Sequence, residues 1–176
     1  MPNLRPTEIL LSEDQIQKRV VELALEIRRD FPDDLHMVAV LKGACMFLTD
    51  LVRHIPGQVS IDFMALASYG KGTTSSGEVR LLKDLDIALD GRNVVIVEDI
   101  VDTGLTLTYL QEILHARNPR ALRTACLLSK PSRRKVDVQV EYIGFTIEDR
   151  FVVGYGLDYA EQYRNLPHIA VMSSQP

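Results

Sequence analysis

The sequence predicts an α/β domain whose central sheet is mainly parallel and flanked by helices. Two observations carry this: strand-type and helix-type patterns alternate along the chain, and strand, turn and helix follow one another in the same plan at 37–53 and again at 94–116. The size agrees, since 176 residues that are 46% hydrophobic and 25% charged suit one compact domain over residues 1–176. In such sheets ligands gather beyond the carboxyl ends of the strands, so the two turns are where chemistry is expected.

Ser12 and Gln15 form a capping box, and Ile16, Val20, Leu23 and Ile27 recur at helical spacing until Phe31 and Pro32 break the pattern. Residues 37–41 read as a short strand, Lys42 and Gly43 as a tight turn, and 44–53 as a helix with Phe47, Leu48, Leu51 and Val52 on its apolar side. Val59, Ile61, Phe63 and Ala65 alternate with Ser60, Asp62 and Met64, the mark of a strand with unequal faces. It leads into a Gly-, Ser- and Thr-rich loop at 68–78, long enough to call for a functional explanation. A strand at 94–97, a turn and a helix at 105–116 follow, stopped by Asn118 and Pro119, with further strands expected at 124–129 and 138–145. From Phe151 the tail is aromatic and mixed in charge with no clean period, and is expected to cover the sheet edge rather than extend it.

Several function classes are disfavoured. No apolar run approaches the roughly 20 residues that span a bilayer, and the first five residues lack a signal-peptide pattern, which points to the cytoplasm and away from a membrane partner. Cys45 and Cys126 lie far apart among apolar neighbours, so buried thiols are expected rather than a disulfide or structural zinc. A net charge of -4, with a basic cluster only at 130–135, argues against nucleic acid as a partner. His36, His54, His115 and His168 lie outside every motif and receive no chemistry.

The informative stretch begins with the β-branched strand Val94, Val95, Ile96, Val97. It continues through Glu98, Asp99, Ile100 and Val101 to Asp102, Thr103, Gly104, Leu105 and Thr106. Burying both adjacent carboxylates unpaired costs several kcal/mol, so they are expected to face solvent, a cation or hydroxyl donors. Neighbouring side chains on an extended backbone point to opposite faces, so both serve one ligand only if the chain turns there. The small residues that follow open a helix, where free N–H groups and the helix dipole favour a phosphate. Carboxylates beside a phosphate cradle suit ribose hydroxyls and magnesium. The bland alternative is an ordinary strand and a helix capped by Asp102. Neither the phosphate loop of nucleotide triphosphatases nor the Gly-x-Gly-x-x-Gly dinucleotide turn is present.

A hydrophobic strand, Glu98-Asp99, two apolar residues and Asp102-Thr103-Gly104-Leu105-Thr106 resemble the phosphoribosyl pyrophosphate signature of type I phosphoribosyltransferases. Lys130-Pro131-Ser132, the run Phe151-Val152-Val153-Gly154-Tyr155-Gly156-Leu157-Asp158-Tyr159 and Tyr163-Arg164-Asn165-Leu166-Pro167 resemble the hypoxanthine-guanine branch, especially its bacterial members. The likeness extends over about 11–171. It implies the type I fold, a twisted sheet with a small hood built from the chain ends. It also implies transfer of a 5-phosphoribosyl group to hypoxanthine or guanine, with xanthine a further candidate, in purine salvage with magnesium as cofactor.

By the same resemblance, Glu98 and Asp99 hold the ribose hydroxyls and, with Asp158, magnesium. Asp102, Thr103, Gly104, Leu105 and Thr106 wrap the 5-phosphate, and Asp102 is the catalytic proton acceptor facing purine N7. Lys130 donates to the purine 6-oxo oxygen, Phe151 stacks on the ring, Val152 meets its edge through backbone groups, and Asp158 borders the base. Lys42, Gly43, Ser68, Tyr69 and Arg164 bind pyrophosphate, with the Leu41–Lys42 peptide cis and a mobile loop starting at Ser68 and Tyr69. Leu105 departs from family members that carry lysine there. The plain readings are a surface lysine at 130, a core Phe151, and a surface salt bridge for Asp158 and Arg164. A homodimer or homotetramer is implied, with the helix at 44–53 as a candidate interface. An RNA-binding regulator on the same fold and an enzyme for adenine stay open as alternatives.

Overall fold

A computed structural model describes residues 4–68 and 79–174. In chain order its elements are β1 (Leu4–Leu11), α1 (Glu13–Asp30), β2 (Leu35–Leu41), α2 (Cys45–His54), β3 (Ser60–Ser68), β4 (Val79–Lys83), β5 (Asn93–Val101), α3 (Leu105–His115), β6 (Ala121–Ser129), a 3₁₀ turn (Pro131–Arg133), β7 (Tyr142–Thr146), β8 (Val152–Val153) and β9 (Ile169–Ser174). Six strands form one sheet in the order β4-β3-β2-β5-β6-β7, parallel except for β3 against β4. A second sheet, β1-β9-β8, is antiparallel and joins the two chain ends into a hood.

The central strands β2, β5 and β6 of the large sheet carry runs of consecutive buried residues, as parallel strands covered on both faces require. Val95 and Val97 of β5 join the core under α1 and α2, while Val94 and Ile96 join the core under α3. The capping box at α1 forms, with Gln15 N donating to Ser12 Oγ at 3.3 Å and Ser12 N to Gln15 Oε1 at 2.8 Å. The expected stripe Ile16, Val20, Leu23 and Ile27 is fully buried, and each such side chain contributes about 1.5–3 kcal/mol of hydrophobic stabilisation.

The chain leaves β2 through α2 toward β3 on one side, and leaves β5 through α3 toward β6 on the other. The crevice beyond the carboxyl ends of β2 and β5 is therefore the topological switch point, the standard ligand position in an open α/β sheet.

Three expectations are corrected. β5 does not stop at 97: its pairing with β6 continues through Glu98↔Cys126 to Val101↔Ser129, so the acidic pair lies inside the strand and the chain turns only afterwards. The last strand of the large sheet is Tyr142–Thr146, not 138–145, because Val138 and Val140 pack against the α3 core and the Gln139 carbonyl accepts from the Gln111 side chain at 2.9 Å instead of from a ladder. The tail does not extend the large sheet, as expected; it supplies β8 and β9 of the second sheet, and its missing period reflects a connection with positive φ at Tyr155, Ala160, Glu161 and Tyr163. Cys126 is buried as expected, but Cys45 is only half-buried. No helix among the described residues is long and apolar enough to cross a membrane.

Candidate active site

The end of β5 and the turn after it line a cleft of about 240 Å³, bounded by Glu98 through Gly104 with Thr106 and Leu107. Glu98 is 7% exposed and stands in register with Cys126 on the α3 face. Its carboxyl is pushed well above the usual carboxylate range by burial and then by the charge of Asp99. Asp99 leaves the opposite face toward α2. Burial lifts it to about 6, against the opposing effects of the Ile100 N–H, which donates to Asp99 Oδ1 at 2.7 Å, and of the Arg164 charge. The two carboxylates thus share one cleft without the turn that their adjacency led us to expect.

Gly43, at the end of β2, is the reason Asp99 fits: a Cβ there would lie 1.6 Å from Asp99 Oδ2. The Leu41–Lys42 peptide beside it is cis. The tail closes over the same point, since a Cβ on Gly156 would lie 2.1 Å from the Gly43 carbonyl oxygen. Arg164 donates from Nη1 to the Gly156 carbonyl at 2.8 Å and pairs through Nη2 with Asp158 at 2.7 Å and Glu161 at 3.3 Å, while its buried Nε has no partner among the described residues. The other Glu161 oxygen meets Lys42 Nζ at 2.7 Å. Ser68 ends β3, paired through its backbone with Val79, and Tyr69 lies outside the described residues together with the rest of the expected loop to position 78.

On the far side of the cleft, Gly104 adopts φ +86 at the start of α3, where a Cβ would meet Val138 at 2.9 Å and Val136 at 3.1 Å. Asp102 does not cap this helix, whose first N–H, at Leu105, donates to Thr103 Oγ1 at 3.4 Å; the Asp102 carboxylate instead pairs with Arg133 Nε at 3.0 Å. Arg133 also reaches Asp149 at 3.3 Å, and Asp149 lies 3.8 Å from Lys130 Nζ, giving a row of alternating charges from Asp102 to Lys130. Lys130 is 6% exposed and donates to the Arg150 carbonyl at 2.7 Å, which rules out a surface lysine. Phe151 is exposed rather than core and packs edge-on against Tyr159, at 5.7 Å between ring centroids and 84° between planes. Val152 is buried and pairs with Val171. Leu105 and Thr106 begin α3 on its exposed side.

The structure therefore brings Glu98, Asp99, Asp102, Thr103 and Gly104 onto one cleft, with Lys42, Gly43, Asp158 and Arg164 at one end and Lys130 tied to the other. Among the described residues no three acidic, histidine or cysteine side chains converge as a self-contained metal cage. Arg133, Arg134, Asp149, Tyr159 and Glu161 were missed. The arginines carried a signal, the basic cluster after Lys130, but charge alone did not say which way they point.

The model of the phosphoribosyl transferase domain matches residues 6–160. A hypoxanthine-guanine phosphoribosyltransferase of Bacillus subtilis is 49% identical over 166 residues, covering 94% of this chain and 92% of its own. One of Mycobacterium tuberculosis is 50% identical over 171 residues, covering 93% and 85%. A crystal structure of a hypoxanthine-guanine phosphoribosyltransferase from Bacillus anthracis superposes with a TM-score of 0.91 at 49% identity, covering 97% of this chain and 99% of that one. The fold, the switch-point cleft and these matches together place the chain in the phosphoribosyl transferase family.

Proposed function

We propose that this chain is a hypoxanthine-guanine phosphoribosyltransferase of purine salvage, which converts hypoxanthine or guanine, with xanthine a further candidate, and phosphoribosyl pyrophosphate into the nucleoside monophosphate and pyrophosphate. The observation that carries this reading is the buried Lys130 tethered to the same cleft as Glu98, Asp99 and Asp102. An ammonium held there is a donor for a 6-oxo oxygen and has no comparable acceptor in an exocyclic amine, which favours oxo bases over adenine.

In this reading the N–H groups from Asp102 to Thr106 take the 5-phosphate at the helix start, and Glu98 and Asp99 take the ribose hydroxyls. Phe151 offers its exposed face to the purine ring, the backbone at Val152 and the Asp158 region meet its edge, and Lys42, Gly43, Ser68, Tyr69 and Arg164 grip pyrophosphate. The base nitrogen N9 attacks the anomeric carbon as the bond to the pyrophosphate oxygen breaks. Asp102 accepts the proton that leaves N7, and Arg164 stabilises the departing anion.

The donor set at this cleft is oxygen-only, and Glu98 and Asp99, whose carboxyls are raised chiefly by burial, sit side by side in it, which fits magnesium held by these residues and Asp158. Bound there together with substrate oxygens, it would supply charge neutralisation at pyrophosphate. The chain is read as one domain, cytoplasmic, and a homodimer or homotetramer through the face of α2 where Met46 is exposed.

The test is stoichiometry. Hypoxanthine and phosphoribosyl pyrophosphate should yield inosine monophosphate and pyrophosphate in equal amounts, dependent on magnesium and abolished by chelation. Asp102→Ala protein with undiminished turnover would remove Asp102 from its role.

A further inference from the structure

We propose that Arg134 is a positioning residue for phosphoribosyl binding, aiming the backbone N–H groups of the 101–104 turn at the 5-phosphate and tying that turn to the strand end that carries Lys130. The inference rests on the reading of Asp102 to Thr106 as the 5-phosphate cradle. Arg134 Nη1 donates to the carbonyls of both Val101 and Asp102, and Nη2 donates to Ser129 Oγ at 3.0 Å. Two neighbouring backbone donors act in the same sense: Lys130 N reaches the Val101 carbonyl at 3.0 Å and Lys135 N the Thr103 carbonyl at 2.9 Å. The consecutive carbonyls of Val101, Asp102 and Thr103 are thus all held by segment 129–135.

The consequence follows from the planar peptide. In a trans amide the C=O and the following N–H point in opposite directions, so fixing those carbonyls turns the N–H groups of Asp102, Thr103 and Gly104 away from segment 129–135. These residues line the cleft, where an anion needs such donors. Arg133 reaches the turn only at the Asp102 carboxylate, whereas the Arg134 side chain holds the turn's carbonyls and its fork spans the turn and Ser129 together; a lysine ammonium offers no fixed plane to do both.

Charge adds to geometry. Arg133 is paired with Asp102 and Asp149, whereas the Arg134 hydrogen bonds all end on neutral oxygens. A guanidinium whose charge is not matched by a carboxylate among the described residues, placed behind a turn that receives a dianionic phosphate, favours that phosphate in addition to shaping its cradle.

Steady-state kinetics of the whole chain with hypoxanthine and magnesium phosphoribosyl pyrophosphate test this, using wild type, Arg134→Ala, Arg134→Lys and Ser129→Ala, with Tm measured for each. Arg134→Ala is expected to raise KM for phosphoribosyl pyrophosphate on the order of tenfold to a hundredfold while KM for hypoxanthine stays nearly unchanged, and Arg134→Lys to fall in between. Added guanidinium should lower the raised KM of Arg134→Ala and leave wild type unaffected. A folded Arg134→Ala whose KM for phosphoribosyl pyrophosphate equals that of wild type overturns the proposal, as does a lowered Tm with unchanged KM. Should Arg134→Ala fail to fold, Arg134→Lys and Ser129→Ala decide by the same criterion. A folded wild type that makes no nucleotide refutes the underlying reading, and a working wild type with insensitive variants refutes only the role of Arg134.

Discussion

Lys42 and Glu161, 119 positions apart in sequence, meet in an ion pair of 2.7 Å. The second Glu161 oxygen lies 3.3 Å from Arg164, so one carboxylate touches both cations assigned to pyrophosphate. An anion entering there must compete with it. Because Lys42 and Glu161 are both 65% exposed, solvent screens the pair and the competition is modest. Glu161→Gln is expected to strengthen product inhibition by pyrophosphate roughly two- to fivefold, read from the inhibition constant. An unchanged or weakened inhibition would show that the two cations do not face pyrophosphate.

Lys130 offers a second test, because its burial separates stability from chemistry. Lys130→Met keeps the length of the side chain and removes the ammonium, leaving the Arg150 carbonyl without that donor. The loss of a charged hydrogen bond to substrate should reduce kcat/KM for hypoxanthine by about tenfold to a hundredfold. Adenine, which gains nothing from the ammonium, should become a less disfavoured substrate in relative terms. Equal losses for both bases would assign Lys130 to structure.

Gly104 carries a backbone requirement. Its φ of +86 costs a residue with a side chain about 1–2 kcal/mol, and a methyl there would press on Val138 at 2.9 Å. Gly104→Ala should therefore lower stability by about 1–3 kcal/mol, seen as a Tm shifted down by several degrees, and raise KM for phosphoribosyl pyrophosphate. A neutral Tm would mean that the turn relaxes without cost.

His36 predicts a pH dependence of stability away from the cleft. It is fully buried, with Nδ1 2.8 Å from Ser60 Oγ and Nε2 unpartnered among the described residues. Burial first and the nearby charge of Arg92 second depress its pKa below the ordinary value of 6.5, against the weaker opposing charges of Asp62 and Asp34. A depressed folded pKa means that the unfolded chain takes up the proton first. The contribution of neutral His36 is thus fully present above the unfolded pKa and is lost as pH falls below 6.5 toward the folded value. Asp62 acts in a lower window. Burial raises it, but the Asp86 and Phe63 N–H groups and Lys83 outweigh that and hold it below its ordinary 3.8. Tm measured from pH 7.5 to pH 5 should fall in wild type and fall less in His36→Asn; parallel curves would contradict the assignment.

The fold was legible where pattern and burial coincide. Ile16, Val20, Leu23 and Ile27 keep one face and become a buried helical stripe, and the β-branched run 94–97 becomes a strand buried on both sides. Elements whose evidence lies in pairing partners were not legible. Leu4–Leu11 and Ile169–Ser174 are strands because each is the other's neighbour, a relationship across the whole chain that neither segment announces. The reach of β5 through Glu98 and Asp99 was hidden for a similar reason: a carboxylate pair reads as the end of a strand, yet ladder bonds to Cys126 and Leu128 carry the strand to Val101. The cleft itself was named by resemblance to a family motif. The roles of Arg133, Arg134 and Glu161 needed coordinates, because a sequence records that a side chain is charged and not which carbonyl or carboxylate it reaches.

The most direct measurement is the kcat/KM of the purified protein for hypoxanthine, guanine, xanthine and adenine under one set of conditions with magnesium phosphoribosyl pyrophosphate. The account predicts efficient nucleotide formation from one or more of the oxo bases and little or none from adenine. Adenine turned over as well as the oxo bases, or no nucleotide from any base by folded protein that binds phosphoribosyl pyrophosphate, would contradict it.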